Sequence, residues 1–341
     1  MRLALVTGAG GFIGGRTVDA FVDAGWRVLA HARSRPPGRL EGLAGDGAVT
    51  LLRGDLSRWR DLRDGIASAT SDLGSGIDCV AHCAGRASDV GRASRFRRDH
   101  LDATLNVVRA VGEFGVGRLV HVSSTDVYGL GDFDGEAEEE LPLAFGTRHI
   151  YPRYKILCEQ AVRDSLDAPR YTVIRPAAVW GRGDTTLTSR VLAFLRGSGT
   201  IVHFGRWRGR NRWPLAHVGN VAGAIVAAAE ADSARGLAIN VLDRERTSVD
   251  EFYRLVARTF LPGRRMRTVC FPVWAGRALG WASTSISNLL DLNEPVFDPS
   301  LYALETVRSN LSFGNARFVE LMRSAGRHIV ALEEGLEELL D

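Results

Sequence analysis

The stretch Thr7-Gly8-Ala9-Gly10-Gly11-Phe12-Ile13-Gly14 decides the fold of this chain of 341 residues. It follows a short apolar segment and precedes a helix-length amphipathic one. The three spaced glycines permit a tight turn, close approach of a pyrophosphate and close packing of helix against strand, and the helix N-terminus supplies amide donors. The pattern therefore predicts a dinucleotide site rather than a purely structural turn, with contacts from Gly8, Gly11, Phe12, Ile13 and Gly14.

Further apolar runs of strand length alternate with helix-length segments. They are Leu3 to Val6, Arg27 to Ala30, Val49 to Leu52, Cys79 to His82, Leu119 to Val122, Thr172 to Ile174 and Ala238 to Val241. This alternation predicts an α/β fold, a doubly wound parallel sheet (Rossmann fold) with a smaller, mixed C-terminal substrate lobe. We expect a nucleotide-binding domain in residues 1–180, with strand 237–242 returning to it. The substrate lobe would comprise 181–236 and 243–341.

The composition limits the classes of protein to which this chain can belong. Hydrophobic content of 45% and a net charge of +3 are ordinary for a globular protein and predict no nucleic-acid or membrane partner. The four cysteines and eight histidines show no metal-ligand spacing, so we expect no metal site and a reducing compartment. We expect no signal peptide, and no transmembrane helix over the apolar stretch Val269 to Leu290, which Arg277 interrupts. A cytoplasmic enzyme is the default.

The only lysine of the chain, Lys155, stands four residues after Tyr151. Arginine fills nearly every other cationic position, so this one marks a place where a compact ammonium is needed. On a helix the two side chains share a face. An ammonium beside a phenol favours the phenolate, so we expect the pKa of Tyr151 to fall toward neutrality. Such a tyrosine can exchange protons at physiological pH.

The end of the second strand indicates which dinucleotide binds. NAD sites usually place an acidic residue there, whereas NADP sites place an arginine for the 2′-phosphate. This chain has His31-Ala32-Arg33-Ser34, without an acid. Arg33, with Ser34, is the expected phosphate ligand. The alternative is that these arginines lie on a surface loop and bind no cofactor. NADP(H) is favoured, and NAD(H) stays possible.

These motifs, in this order, resemble those of the extended short-chain dehydrogenase/reductase family, also called the NAD(P)-dependent epimerase/dehydratase family. The matching segments are Gly54-Asp55-Leu56, His82-Cys83-Ala84-Gly85, Val122-Ser123-Ser124-Thr125-Asp126-Val127-Tyr128-Gly129, Tyr151-Pro152-Arg153-Tyr154-Lys155 and Arg175-Pro176-Ala177-Ala178-Val179. The resemblance covers nearly the whole chain. Leu311-Ser312-Phe313 is most similar to the 3β-hydroxysteroid-dehydrogenase-like branch.

The resemblance implies a role for each matching residue. Tyr151 would be the general acid in ketone reduction and the base in alcohol oxidation. Lys155 would lower its pKa and hold the nicotinamide ribose, and Ser124 would hydrogen-bond the substrate oxygen. Cofactor contacts would also come from Asp55, Leu56, Cys83, Ala84, Gly85, Pro176 and Val179.

The predicted function is an NADP(H)-dependent oxidoreductase that interconverts a ketone and a secondary alcohol on a small organic substrate. One alternative is an NAD-dependent nucleotide-sugar epimerase, and another is a non-catalytic dinucleotide-sensing protein. Thr125 and Asp126 replace the Asp-Glu pair of sugar-nucleotide dehydratases, which argues against a dehydratase. A homodimer is expected from the resemblance alone.

Two further features have open interpretations. The basic segment 206–213 contains Arg212, which is either part of a solvated loop, an anion contact for the substrate, or part of a nucleic-acid surface. His100 stands where the family often has Asn, and it is either a packed histidine or a member of a proton relay.

Overall fold

The central feature of the fold is a parallel sheet of seven strands. The structure, a computed structural model, describes residues 1–34, 38–133 and 139–340. The sheet contains β1 (Leu3–Thr7), β2 (Arg27–Ala32), β3 (Val49–Arg53), β4 (Cys79–His82), β5 (Arg118–Val122), β6 (Tyr171–Pro176) and β10 (Ala238–Val241). Their order is β3-β2-β1-β4-β5-β6-β10, and every pair is parallel. All seven predicted strands are present, which confirms the predicted fold.

Helices cover both faces of this sheet. The helices are α1 (Phe12–Asp23), α2 (Gly38–Gly45), α3 (Trp59–Leu73), α4 (Ala93–Phe96), α5 (Ala103–Glu113), α6 (Ile150–Ser165), α7 (Thr188–Ser198), α8 (Val218–Glu230), α9 (Val249–Phe260), α10 (Val273–Leu289), α11 (Leu301–Arg308), α12 (Ala316–Ser324) and α13 (Leu332–Glu337). A π-helical stretch, Arg97–Asp102, joins α4 to α5.

Alternation along β1 shows how the two faces are buried. Leu3 and Leu5 lie in one apolar cluster, with residues of α3 and α5, whereas Ala4 and Val6 lie in a second, with residues of α1 and α8. Because successive side chains of a strand point to opposite faces, both sides of the sheet are packed cores.

Four further strands form two small parallel sheets that the sequence patterns did not predict. β7 (Ala178–Trp180) pairs with β9 (Leu215–His217), and β8 (Thr200–Phe204) pairs with β11 (Arg267–Phe271). Helix α9 begins at a capping box formed by Ser248 and Glu251. Helix α8 lies within 181–236, the range predicted for the substrate lobe, and it packs against α1. This helix lies in the layer that flanks the sheet, and the division into domain and lobe stays a prediction.

A buried ion pair joins β6 to α6 beside the sheet. Arg175 donates to both carboxylate oxygens of Glu159, over 2.9 and 2.6 Å, and its guanidinium also donates to the Tyr128 hydroxyl over 2.7 Å. Both charged side chains are almost fully buried. A buried, bidentate pair is strongly coupled, because removing one partner leaves an unpaired charge in a medium of low dielectric constant.

Candidate active site

The glycine turn between β1 and α1 is tightly folded. Gly8 has a φ of +70°, and the Gly11 amide donates to the Gly8 carbonyl over 2.9 Å. A Cβ at position 14 would lie 2.1 Å from that same oxygen. Since neither Gly8 nor Gly14 tolerates a side chain, the turn stays narrow and leaves the start of α1 open to a bound phosphate. The cradle fits the pyrophosphate of a dinucleotide.

A cavity of about 1270 Å³ lies at the carboxyl edge of the sheet. Ligands of doubly wound sheets bind in this position, where the strand order reverses between β1 and β4. The part that we call the nucleotide half is lined by Gly8, Gly11, Phe12, Ile13, Gly14, Arg33, Ser34, Asp55, Leu56, Cys83, Ala84 and Gly85. The part that we call the substrate half is lined by Val191, Phe194, Leu195, Val202, Phe204, Trp213, Phe271 and Leu279.

An arginine cluster surrounds one carboxylate in the nucleotide half. Asp99 lies 2.8 Å from Arg98, 3.2 Å from Arg33 and 3.4 Å from Arg86. The nearby Asp55 carboxylate has a lowered pKa: burial would raise it, but hydrogen bonds from Ser57 and the charges of Arg33 and Arg98 outweigh burial. Three arginines around Asp99 leave an excess of positive charge, which suits a phosphate ester.

The structure brings the predicted catalytic side chains together around the end of β5. Ser124 lies two residues beyond that strand, and Tyr151 and Lys155 lie on α6. The Lys155 ammonium donates to the Val122 carbonyl over 2.9 Å and lies 5.7 Å from the centre of the Tyr151 ring. The lysine is buried, so its ammonium is held in one place by strand and helix together.

The expected direction of the Tyr151 pKa shift was wrong. Burial raises the pKa of the Tyr151 phenol, the Asp126 carboxylate raises it further, and a hydrogen-bonding interaction with Ser124 only partly opposes them. Burial also lowers the pKa of Lys155. Desolvation disfavours the charged form of either group, and it is the largest cause of both pKa shifts. Tyr151 is therefore a neutral phenol in this structure, which suits a proton donor.

The sequence analysis did not identify two residues of the site, Asp126 and Tyr302, as functional groups. Asp126 Oδ2 accepts hydrogen bonds from Ser124 Oγ over 3.1 Å and from the Tyr302 hydroxyl over 2.5 Å. The Tyr302 ring lies 6.0 Å from the ring of Tyr151. Burial raises the pKa of Asp126, although its hydrogen bonds from Tyr302 and Ser124 and the charges of His149 and Lys155 lower it. Asp126 stood inside a matched motif, whereas no motif marked Tyr302.

His100 is a packed histidine. Its ring stacks on Phe96 with centres 5.5 Å apart, and its Nε2 contacts the backbone of Arg86. Burial lowers the pKa of His100 to about 3, so the ring is neutral at physiological pH. The packed interpretation therefore accounts for this residue.

Most of the predicted contact residues line the cavity, including Ser124, Tyr151 and Val179. Pro176, Lys155 and Arg212 are not among the lining residues. Arg212 is exposed, and its guanidinium donates to Ser312 Oγ over 3.2 Å. Its predicted contact with the substrate therefore has no support from the arrangement, because the side chain is engaged elsewhere.

The substrate half offers little to a charged ligand. Among the described lining residues, Arg190 is the one cation outside the Asp99 cluster. It is already paired with Asp298, and it lies 3.8 Å from Asp89. Because the remaining walls are largely aliphatic and aromatic, this half favours an apolar ligand.

Comparisons with known proteins agree with this arrangement. Residues 4–241 match the NAD dependent epimerase/dehydratase family. A 2-alkyl-3-oxoalkanoate reductase from Stenotrophomonas maltophilia (strain K279a) is 32% identical over 190 residues, 55% of this chain and 54% of the relative. A 3 beta-hydroxysteroid dehydrogenase/Delta 5-->4-isomerase from Mycobacterium tuberculosis (strain CDC 1551) is 29% identical, over 74% of this chain and 68% of the relative.

The fold recurs among solved structures. A dTDP-glucose 4,6-dehydratase from Bacillus anthracis, in complex with NAD, superposes with a TM-score of 0.71 at 15% identity, covering 100% of this chain and 96% of that one. The curated relatives match over less of their length, since the alignment with the first covers about half of that protein, 54%.

Proposed function

The chain belongs to the NAD dependent epimerase/dehydratase family, and from this premise we propose that it is an NADP(H)-dependent reductase of apolar ketones. The observation that carries the proposal is the combination of a neutral, half-buried Tyr151 beside Ser124 with a largely apolar substrate half of the cavity. It interconverts a ketone and a secondary alcohol.

The side chains divide the chemistry between them. NADPH, which the glycine turn and Arg33 would hold in the nucleotide half, would supply the hydride for the carbonyl carbon. Ser124 orients the carbonyl oxygen by a hydrogen bond, and the Tyr151 hydroxyl gives that oxygen its proton as charge develops. Lys155, fixed by the Val122 carbonyl, supports the phenolate that remains on Tyr151 after the transfer. In the reverse direction Tyr151 takes the proton back.

Support for NADP(H) comes from the nucleotide half. Arg33 follows β2 directly, lines the cavity and belongs to the Asp99 cluster, as a 2′-phosphate ligand would. The same cluster also supplies the one observation that favours the rival cofactor. The Asp99 carboxylate lies beside Arg33, and a carboxylate there suits the free ribose hydroxyls of NAD.

The experiment measures oxidation of NADPH and of NADH with a panel of apolar ketones, including 2-alkyl-3-oxo acids and polycyclic ketones. Turnover with NADPH, lost in Tyr151→Phe, is the expected result. Protein that carries tightly held NAD and is inert toward added NADPH with every ketone would instead favour the nucleotide-sugar epimerase.

A further inference from the structure

The C-terminal part of the chain exposes an unusual concentration of large apolar side chains. Ten of the sixteen exposed large apolar residues among those the structure describes lie between 269 and 297. Trp274 is 73% exposed and Trp281 is 67% exposed. A contiguous exposed apolar patch marks an interaction site. Apolar residues that are scattered singly over a protein surface are normal and carry no such meaning. We call the exposed side of β11 and α10 the tryptophan face.

The buried face of helix α10 carries small residues. Gly276 and Gly280 are buried, and a Cβ at position 280 would lie 3.0 Å from the Leu301 Cα of α11. The outward positions 274, 277, 278 and 281 follow the spacing of one helical face. Close packing on α11 therefore fixes both tryptophans on the solvent side, the reverse of an ordinary surface helix.

The tryptophan face meets the mouth of the cavity. Phe271 and Leu279 line the substrate half, and both are also exposed. Phe194, on the neighbouring helix α7, shares both properties. The apolar lining of the cavity is thus continuous with the apolar surface outside it.

The charged residues within β11, α10 and the segment before them are all arginines. Residues 262–290 contain Arg264, Arg265, Arg267 and Arg277 and no Asp or Glu. Arg264 and Arg265 are exposed directly before β11, and Arg267 is the exposed first residue of that strand. Arg277 stands between the two tryptophans, with Glu305 at 3.3 Å. Arginines and tryptophans around an apolar face are typical of elements that lie in the interface of an anionic bilayer. A two-fold contact of this face with a second copy would bring like charges together.

We propose that the tryptophan face docks on the surface of an anionic phospholipid membrane, so that apolar substrates enter the cavity from the lipid. Docking is peripheral: within the described residues, no helix is both long and apolar enough to cross a bilayer. The proposal departs from the expectation of no membrane partner, which rested on net charge and on the lack of a spanning segment. Docking itself does not depend on the proposed reductase activity.

The test is co-sedimentation of the whole protein with vesicles of phosphatidylcholine alone and of phosphatidylcholine mixed with phosphatidylglycerol, without cofactor or ketone. The wild type should bind the mixed vesicles at least about tenfold better than the neutral ones and detach as salt rises. The double variant Trp274→Ser/Trp281→Ser should lose binding. Phe145→Ser, an exposed aromatic residue outside the face, should keep it.

A second pair of variants tests the charge. Arg265→Gln/Arg267→Gln should weaken binding to the mixed vesicles, whereas Arg323→Gln, on the exposed part of α12, should not. Circular dichroism confirms that each variant is folded. A wild type that stays in the supernatant overturns the proposal. So does a dimer in light scattering that becomes a monomer in the tryptophan double variant, because that result assigns the face to a second copy.

Discussion

The two halves of the cavity differ in how the chain builds them. The nucleotide half is made by short turns at the ends of neighbouring strands, with a glycine cradle and an arginine cluster. The substrate half is made mainly by apolar side chains from α7, β8, β11 and α10, which are far apart in sequence, with the paired Arg190 and Asp298 among the polar exceptions. Specific polar contacts therefore concentrate at one end, while the other end selects by shape and hydrophobicity. The contrast indicates that cofactor choice and substrate choice can be changed separately.

The largest expected effect concerns Tyr151, the proposed proton donor, which lies where the two halves of the cavity meet. Tyr151→Phe removes the proposed proton donor and should lower kcat for ketone reduction by roughly 10²–10⁴-fold, with little change in the binding of NADPH. Steady-state NADPH oxidation and cofactor titration measure the two quantities. The matched control is Tyr154→Phe, since the Tyr154 hydroxyl only donates to the Ala93 carbonyl over 2.9 Å. Equal losses in both variants would contradict the assignment.

The next prediction concerns stability beside the sheet. Glu159→Ala leaves Arg175 buried and unpaired, so it should lower the free energy of unfolding by about 3–5 kcal/mol. Urea denaturation followed by circular dichroism measures it. Glu113→Ala removes an exposed partner of Arg109, 3.9 Å away, and should change stability by no more than about 0.5 kcal/mol. If the two variants are equally stable, the buried pair is not the anchor that its geometry indicates.

The next prediction, with a smaller expected effect, tests whether the nucleotide half distinguishes NADPH from NADH. Arg33→Ala removes a charged hydrogen-bond donor from the nucleotide half, so KM for NADPH should rise by about 10- to 100-fold while KM for NADH stays nearly constant. Arg63→Ala, at an exposed position paired with Asp64, serves as the control. Parallel changes in both KM values would show that Arg33 does not distinguish the two cofactors.

The smallest predicted effect is a pH dependence. Burial raises the pKa of Asp126, so its carboxyl is neutral below that pKa and carries a charge above it. Once charged, it holds the Ser124 hydrogen and opposes the negative charge that develops on the substrate oxygen. The rate of ketone reduction should therefore fall, by roughly tenfold, as pH rises through this pKa.

Asp126→Asn should remove that decrease without lowering the rate at acidic pH, because the amide never becomes charged. A pH–rate profile of kcat for both proteins measures the difference. The stability change has a consistent sign: a carboxyl whose folded-state pKa is raised destabilises the fold when it ionises, so the variant should melt at a higher temperature than the parent at pH values above this pKa. An unchanged alkaline limb in the variant would assign the decrease to another group.

Local patterns explain why the nucleotide half could be predicted. The glycine turn, Arg33 and the spacing of Tyr151 and Lys155 are each contained within a few residues, and regular secondary structure then places them. The seven strands followed from short apolar runs for the same reason. None of these inferences needed a contact between distant parts of the chain.

The features of the site that could not be predicted depend on contacts between residues far apart in the sequence. Tyr302 reaches Asp126 across 176 positions of sequence, and no motif announces that contact. The direction of the Tyr151 pKa shift depended on burial and on the Asp126 charge, neither of which the four-residue spacing reveals. The outward orientation of Trp274 likewise follows from which side of α10 packs against α11.

The solitary lysine has a practical consequence for chemical labelling. Apart from the α-amino group, the primary amine of Lys155 is the only one in the chain, and it is shielded within the protein and hydrogen-bonded to Val122. Acylating reagents that decorate the surfaces of most proteins thus find a single internal target here. The extent of reaction at Lys155 therefore reports on how readily a reagent reaches the interior behind Tyr151, and a ligand that fills the cavity should slow it.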